Sequence, residues 1–138
     1  MRIPSMKRKQ TERGAAMVEF ALSFLLFFMV VYAIMEFGRV VTCYNILAGA
    51  TREGARYATV HGSASGAVAT ASDIQNVVRQ WSIGLDPNSV VVTTTWAPGN
   101  NPGNQVKVRA QYTIAPFTGL IIASGIPLGS NSAMVISQ

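Results

Sequence analysis

The sequence predicts an α+β fold: a long N-terminal helix, transmembrane then amphipathic, with a small C-terminal β-rich domain packed on its distal half. That domain is expected to hold one short helix and about three antiparallel strands. Three observations predict this. A basic head runs directly into an apolar stretch of membrane length. The stretch passes into a three-and-four-residue periodicity with no proline between Pro4 and Pro87. The last third alternates apolar and polar residues between loops rich in Gly and Pro.

Composition narrows the class before any motif is read. The 138 residues allow one modest domain and exclude a large multidomain enzyme. Eleven Lys+Arg against six Asp+Glu give a formal charge of +5 and a pI near 9.9, which invites a nucleic-acid reading. Only 12% of residues are charged, however, 49% are hydrophobic, and the mean hydropathy is +0.30. The basicity is also local. Residues 1–14 hold Arg2, Lys7, Arg8, Lys9 and Arg13 against Glu12, a net +4, whereas residues 15–138 carry only +1. A basic leader followed at once by an apolar run is a topology signal, and no nucleic-acid partner is expected.

The run over residues 15–35 is interrupted only by Glu19. A helix of about 21 residues spans roughly 31 Å, the thickness of the hydrocarbon layer. Its nine strongest apolar residues favour insertion by about 3–5 kcal/mol, more than the cost of one charge near an end. A single span over residues 15–36 is therefore expected, with residues 1–14 cytoplasmic under the positive-inside rule and the rest exported. A cleaved secretory signal peptide has the same order of parts. It would need a small-x-small site close behind the apolar core, where Glu36-Phe37-Gly38-Arg39 stands instead and Ala48-Gly49-Ala50 lies well downstream. A core helix of a soluble protein is the third reading.

The helix is expected to continue over residues 37–61. Phe37, Val40, Val41, Tyr44, Leu47, Ala48, Ala55 and Ala58 recur at helical spacing, with Arg39, Thr42, Asn45, Gly49, Arg52, Glu53 and Arg56 between them. Glu36 with Arg39 and Glu53 with Arg56 form i,i+3 pairs. His61-Gly62-Ser63-Ala64-Ser65-Gly66 reads as a stop and loop, opening the β-rich domain at 62–138. Ser72 with Gln75 fits a capping box for a short helix carrying Ile74, Val77, Val78 and Trp81 and ending near Gly84. Residues 89–96 read as a strand and 98–104 as a loop. Residues 106–114 read as a half-buried strand and 132–138 as a third. Residues 114–128 are apolar but broken by Pro116, Gly119, Gly125 and Pro127, which suits a buried loop, a helical turn or a contact surface better than a second span.

The informative junction is Arg13-Gly14-Ala15-Ala16-Met17-Val18-Glu19-Phe20. It resembles the processing site of the type IV pilin superfamily, in which a membrane-embedded aspartic prepilin peptidase cuts after the glycine. The resemblance implies a cut between Gly14 and Ala15, with Glu19 at the fifth mature position and Phe20 at the sixth. Glycine enters a protease cleft without a side-chain clash. A carboxylate at a helix start complements the dipole and can pair with the new α-amino group. Taken alone, Glu19 reads equally well as an interfacial acid. Together with Glu36-Phe37-Gly38-Arg39 and Ala50-Thr51-Arg52-Glu53-Gly54-Ala55-Arg56-Tyr57-Ala58, the junction is similar to the TadE-like pseudopilins of tight-adherence (Tad/Flp) pilus systems. That resemblance covers residues 13–62, with the tail agreeing only in kind.

It implies a minor subunit needed for an adhesive pilus. The implied partners are a prepilin peptidase, another minor pseudopilin, the major Flp pilin, the Tad membrane assembly platform and membrane lipid. Phe20, where major Flp pilins usually carry tyrosine, and the chain length both favour a minor subunit. The alternative from another class is an uncleaved, membrane-anchored exported binding protein.

The remaining reactive residues suggest no chemistry. One cysteine, Cys43, excludes an intramolecular disulfide, and a packed thiol is its simplest role. One histidine, His61, at a helix end, has no companion ligands, so neither a metal nor a cofactor is expected. Arg52 and Arg56 share a helix face and are candidate contacts for an acidic partner, or simply a solvated face. Trp81, Trp96 and Tyr112 read as core residues. With no phosphate loop, nucleophile elbow or paired carboxylates, no enzyme is expected.

Overall fold

The computed structural model describes residues 6–117 and 124–138, with side chains from Arg13 onward. Helix α1 spans Met6–Val60 and α2 spans Ala71–Trp81; a 3-10 turn at Pro87–Ser89 leads into β1 (Val91–Ala97), β2 (Gln105–Ile114) and β3 (Ile126–Val135). The three strands form one antiparallel sheet in the order β1-β2-β3. This is the α+β architecture that the sequence predicts. Helix α1 begins before the apolar run because Lys, Arg, Gln and Glu are good helix formers and no proline separates them from it. The chain divides into two compact units, one up to Gly38 and one from Arg39 onward.

The second unit has a single core. Leu47, Ala50, Ala55 and Ala58 of α1, Ile74 and Val78 of α2, and Val90, Val106, Val108, Ala110 and Ile136 are buried in one cluster. Each fully buried aliphatic side chain contributes about 1.5–3 kcal/mol. The alternation read in β2 is obeyed: Val106, Val108 and Ala110 point inward, and Gln105, Lys107, Arg109 and Gln111 point outward. Arg39 donates to the Ala115 carbonyl, tying α1 to the end of β2.

The buried face of α1 differs from the one read in the sequence. Phe37 and Tyr44 are exposed, whereas Thr51 and Gly54 are buried and Cys43 packs against the cluster. Close approach is the reason. A Cβ on Gly54 would lie 2.4 Å from Val78 Cγ2, so α2 sits where only a bare backbone leaves room. Thr51 escapes the cost of a buried hydroxyl by donating to the Leu47 carbonyl at 2.6 Å.

Three further differences are local. The cap of α2 is Thr70 with Asp73, not Ser72 with Gln75: Asp73 N–H donates to Thr70 Oγ1 at 3.3 Å, and Thr70 N–H donates to Asp73 Oδ2 at 2.9 Å. A carboxylate is a stronger acceptor than an amide, so the frame containing the acid wins. Strand β3 starts at Ile126 rather than 132 and tolerates Pro127 because it is an edge strand. Residues 118–123, the middle of the apolar 114–128 stretch, lie outside the described residues. Trp81 is 53% exposed, and Trp96 and Tyr112 only flank the core.

After β3 the chain returns to the end of α1. Ser137 N–H donates to the Thr59 carbonyl at 2.9 Å, and the Ser137 hydroxyl to the same oxygen at 3.0 Å, satisfying one of the carbonyls that a helix end leaves unpaired. Gly62 makes this possible, since a Cβ there would fall 2.0 Å from the Gln138 carbonyl.

The Thr70 hydroxyl and backbone hydrogen bonds hold the Asp73 carboxyl below its ordinary pKa. A depressed carboxylate pKa stabilises the fold above the unfolded value of about 3.9, and the contribution disappears as pH falls through the folded value. Thr70→Ala is therefore expected to lower the unfolding midpoint by a few degrees at neutral pH. The gap from wild type should narrow as pH drops below 4, measured by thermal unfolding in detergent. A gap unchanged at low pH would mean that the cap owes nothing to the ionised carboxylate.

Candidate functional site

The sequence-predicted junction lies in the first unit. Gly14 and Ala15 are inside α1, both exposed, and no atom from elsewhere lies within 4 Å of where a Gly14 Cβ would stand. Glu19 is also exposed and lies well inside the helix, so in the uncut chain it is too far from the helix start to feel the dipole. A cut after Gly14 would change that by making Ala15 the first residue. Phe20 stacks on Phe24 with ring centroids 6.0 Å apart, and Phe24 on Phe28 at 6.4 Å. This aromatic ladder was not singled out from the sequence, although its i,i+4 spacing was visible there.

Every residue from Arg13 to Val31 is exposed, although an 18-residue window of this helix has a mean hydropathy of 2.3. A helix this apolar, left uncovered by the described residues, suits a hydrocarbon surrounding or the flanks of other helices.

Arg52 and Arg56 lie in the second unit, and the structure separates their roles. Arg56 Nε donates to Glu53 Oε2 at 2.9 Å, the i,i+3 pair read in the sequence. Arg56 also borders a groove of about 300 Å³ between the ends of α1 and α2, floored by Tyr57, Val60, Val77 and Trp81. Arg52 is exposed and does not line it. His61 also lines the groove, its ring stacked on Tyr57 at 4.0 Å and its Nδ1 2.9 Å from the Tyr57 carbonyl, a structural arrangement. Among the described residues no three His, Cys, Asp or Glu side chains converge on a metal position.

These features define a class: a single apolar helix fit to anchor in a membrane, running into a small α+β unit built around its second half. Residues 14–56 match the family model described as TadE-like protein, and over that stretch the chain is similar to that family. The match supports a protein of the Tad pilus system, in which a long apolar N-terminal helix fits a membrane anchor. It includes Gly14, Ala15, Glu19, Phe20, Arg52 and Arg56, and leaves α2 and the sheet outside. No curated protein and no solved structure matches the chain.

Proposed function

We propose that the chain is a prepilin-like minor subunit, cut after Gly14 by a prepilin peptidase and needed for assembly of a Tad/Flp-type adhesive pilus. The observation that carries the reading is the junction itself. Gly14 stands exposed and uncontacted between a basic leader and a membrane-length apolar helix, with Glu19 five positions beyond the cut. A peptidase needs extended backbone, so the helix must open locally. Glycine costs a helix about 1 kcal/mol relative to alanine, and no tertiary contact at Gly14 resists the opening.

Before the cut the subunit sits in the cytoplasmic membrane of the bacterium, with its N-terminus inside and residues from about 38 onward exported. After the cut α1 keeps its anchor and acquires a free amine at Ala15 beside the Glu19 carboxylate. The mature helix then packs with those of another minor pseudopilin and the major Flp pilin at the assembly platform, and no catalytic role is assigned.

Intact mass of the protein isolated from its own membranes tests this. The wild type is expected to lack residues 1–14, and Gly14→Leu to retain them. A functional wild type that keeps the full leader would refute the pilin reading and support the uncleaved anchored binding protein.

A further inference from the structure

The two connections of the sheet lie at opposite ends of the second unit. Between β1 and β2 the chain is held just beyond the end of α1, where Ser63 N–H donates to the Asn100 carbonyl at 2.8 Å. Strand β2 then runs back over Gln105–Ile114, about 33 Å at its rise per residue. The stretch of α1 from Thr59 back to Arg39 is about 30 Å long, so the strand ends level with Arg39. The hydrogen bond from Arg39 to the Ala115 carbonyl fixes it there.

The connections differ in chemistry as well as in place. The one between β1 and β2 carries Asn100, Asn101 and Asn104 and no large apolar residue. The one after β2 begins Ala115-Pro116-Phe117, with Phe117 76% exposed, and no charged side chain follows Arg109 in the sequence. Arg39, which holds this apolar end, stands three residues past Glu36, about 4.5 Å along the helix from the acid that closes the apolar run. Phe117 is two residues from Ala115, a reach of at most about 7 Å. The polar layer of a bilayer is about 5–7 Å deep on each side of the hydrocarbon, so Phe117 lies within reach of it.

We propose that Phe117 is a second membrane contact, its ring seated at the boundary between headgroups and acyl chains in the leaflet where α1 leaves the bilayer. Continuity with the span selects phospholipid as the occupant. An exposed aromatic ring at the foot of the second unit meets that boundary in every copy of the protein, and apolar side chains are favoured there. The asparagine-rich connection, held at the other end of the unit, meets no such surface. Attachment at two points, the span and Phe117, restricts the tilt of the second unit on the bilayer. The inference rests on the single-span reading given above and is independent of cleavage at Gly14.

The test uses the full-length chain, one copy per nanodisc, in phosphatidylcholine brominated high on its acyl chains. Trp81→Phe and Trp96→Phe remove the native fluorophores, and a single tryptophan is returned by Phe117→Trp, Ala64→Trp or Phe28→Trp. Fluorescence of the Phe117→Trp chain is expected to fall about twofold relative to unbrominated lipid, since a boundary side chain sits roughly 5–10 Å deep, beside the bromines. The Ala64→Trp chain, labelled at the opposite end of the unit, should be unchanged. The Phe28→Trp chain, labelled inside the span, should be quenched by lipid brominated deeper. An unquenched Phe117→Trp chain beside a quenched Phe28→Trp chain would overturn the inference and leave the anchor standing. Equal quenching of the Phe117→Trp and Ala64→Trp chains would overturn it too, because the unit would then have no preferred end on the bilayer. A Phe28→Trp chain quenched by neither lipid would refute the single-span reading itself, so the two failures are distinguishable. In chains that keep both native tryptophans, Cys43→Ala/Phe117→Cys should react with a water-soluble maleimide several-fold more slowly than Cys43→Ala/Ala64→Cys. Equal rates would likewise overturn the inference.

Discussion

Gly54→Ala is expected to destabilise the C-terminal unit, and Gly54→Leu to expel α2 from its seat on α1. Helix propensity alone points the other way, since alanine favours a helix over glycine by about 1 kcal/mol. Packing decides the sign. The new Cβ would stand 2.4 Å from Val78 Cγ2 and 3.5 Å from Ile74 Cγ2, and both side chains are fully buried. Carbon atoms rest at about 3.5–4.0 Å, so the two helices must separate. Overpacking of this kind costs about 1–3 kcal/mol. Thermal unfolding followed by tryptophan fluorescence reports on it directly, because Trp81 and Trp96 belong to the affected elements. Val78→Ala removes the clashing methyl groups, so Gly54→Ala/Val78→Ala should be more stable than the two single effects add up to, by at least about 1 kcal/mol. Strict additivity would show that Gly54 and Val78 do not meet.

The same contact explains why part of the fold was legible in the sequence and part was not. Strand β2 and the end of α1 were readable because each depends on a local signal: side-chain alternation in one case, the Gly62 to Gly66 interruption in the other. The docking face of α1 was misread because hydrophobicity was weighed and size was not. Phe37 and Tyr44 are more apolar than Gly54 and Thr51, yet they lie outside, since a closely packed helix pair selects small residues. The start of β3 was hidden by Pro127 and Gly129, which ordinarily break strands and are admitted here only at a sheet edge.

The candidate site divides in the same way. Its N-terminal part was visible as a contiguous motif. The groove that Arg56 borders was not, because it depends on how Val77 and Trp81 of α2 come back against Tyr57 and Val60 of α1. Helical periodicity shows which residues share a face, but only the packing of the two helices shows which faces meet.

Glu19→Ala is expected to leave processing intact and abolish incorporation into pili. In the uncut chain Glu19 is an exposed acid inside α1, away from the helix terminus. Removing it would ease membrane insertion, given a cost of about 2.5–3.5 kcal/mol for a central charge and less near an end. On the proposed reading its value arises after a cut at Gly14, when the new amine at Ala15 and the positive end of the helix dipole would both lie within one turn or so of it. Between packed apolar helices an unpaired carboxylate is heavily penalised and a paired one is tolerated, so the pair admits one register and disfavours the rest. A loss of only about 1.4 kcal/mol per contact lowers each association constant tenfold, and the deficit recurs at every subunit added.

Glu19→Gln separates charge from size, since it keeps the volume and one acceptor but cannot form the ion pair, and it should fail nearly as fully as alanine. Intact mass reports whether the leader has been removed, and the sheared surface fraction reports whether the subunit has been assembled. Mature-length Glu19→Ala present in pili at the wild-type level would exclude a register role. Glu19→Gln at the wild-type level beside a failing alanine variant would assign the role to side-chain packing rather than to charge.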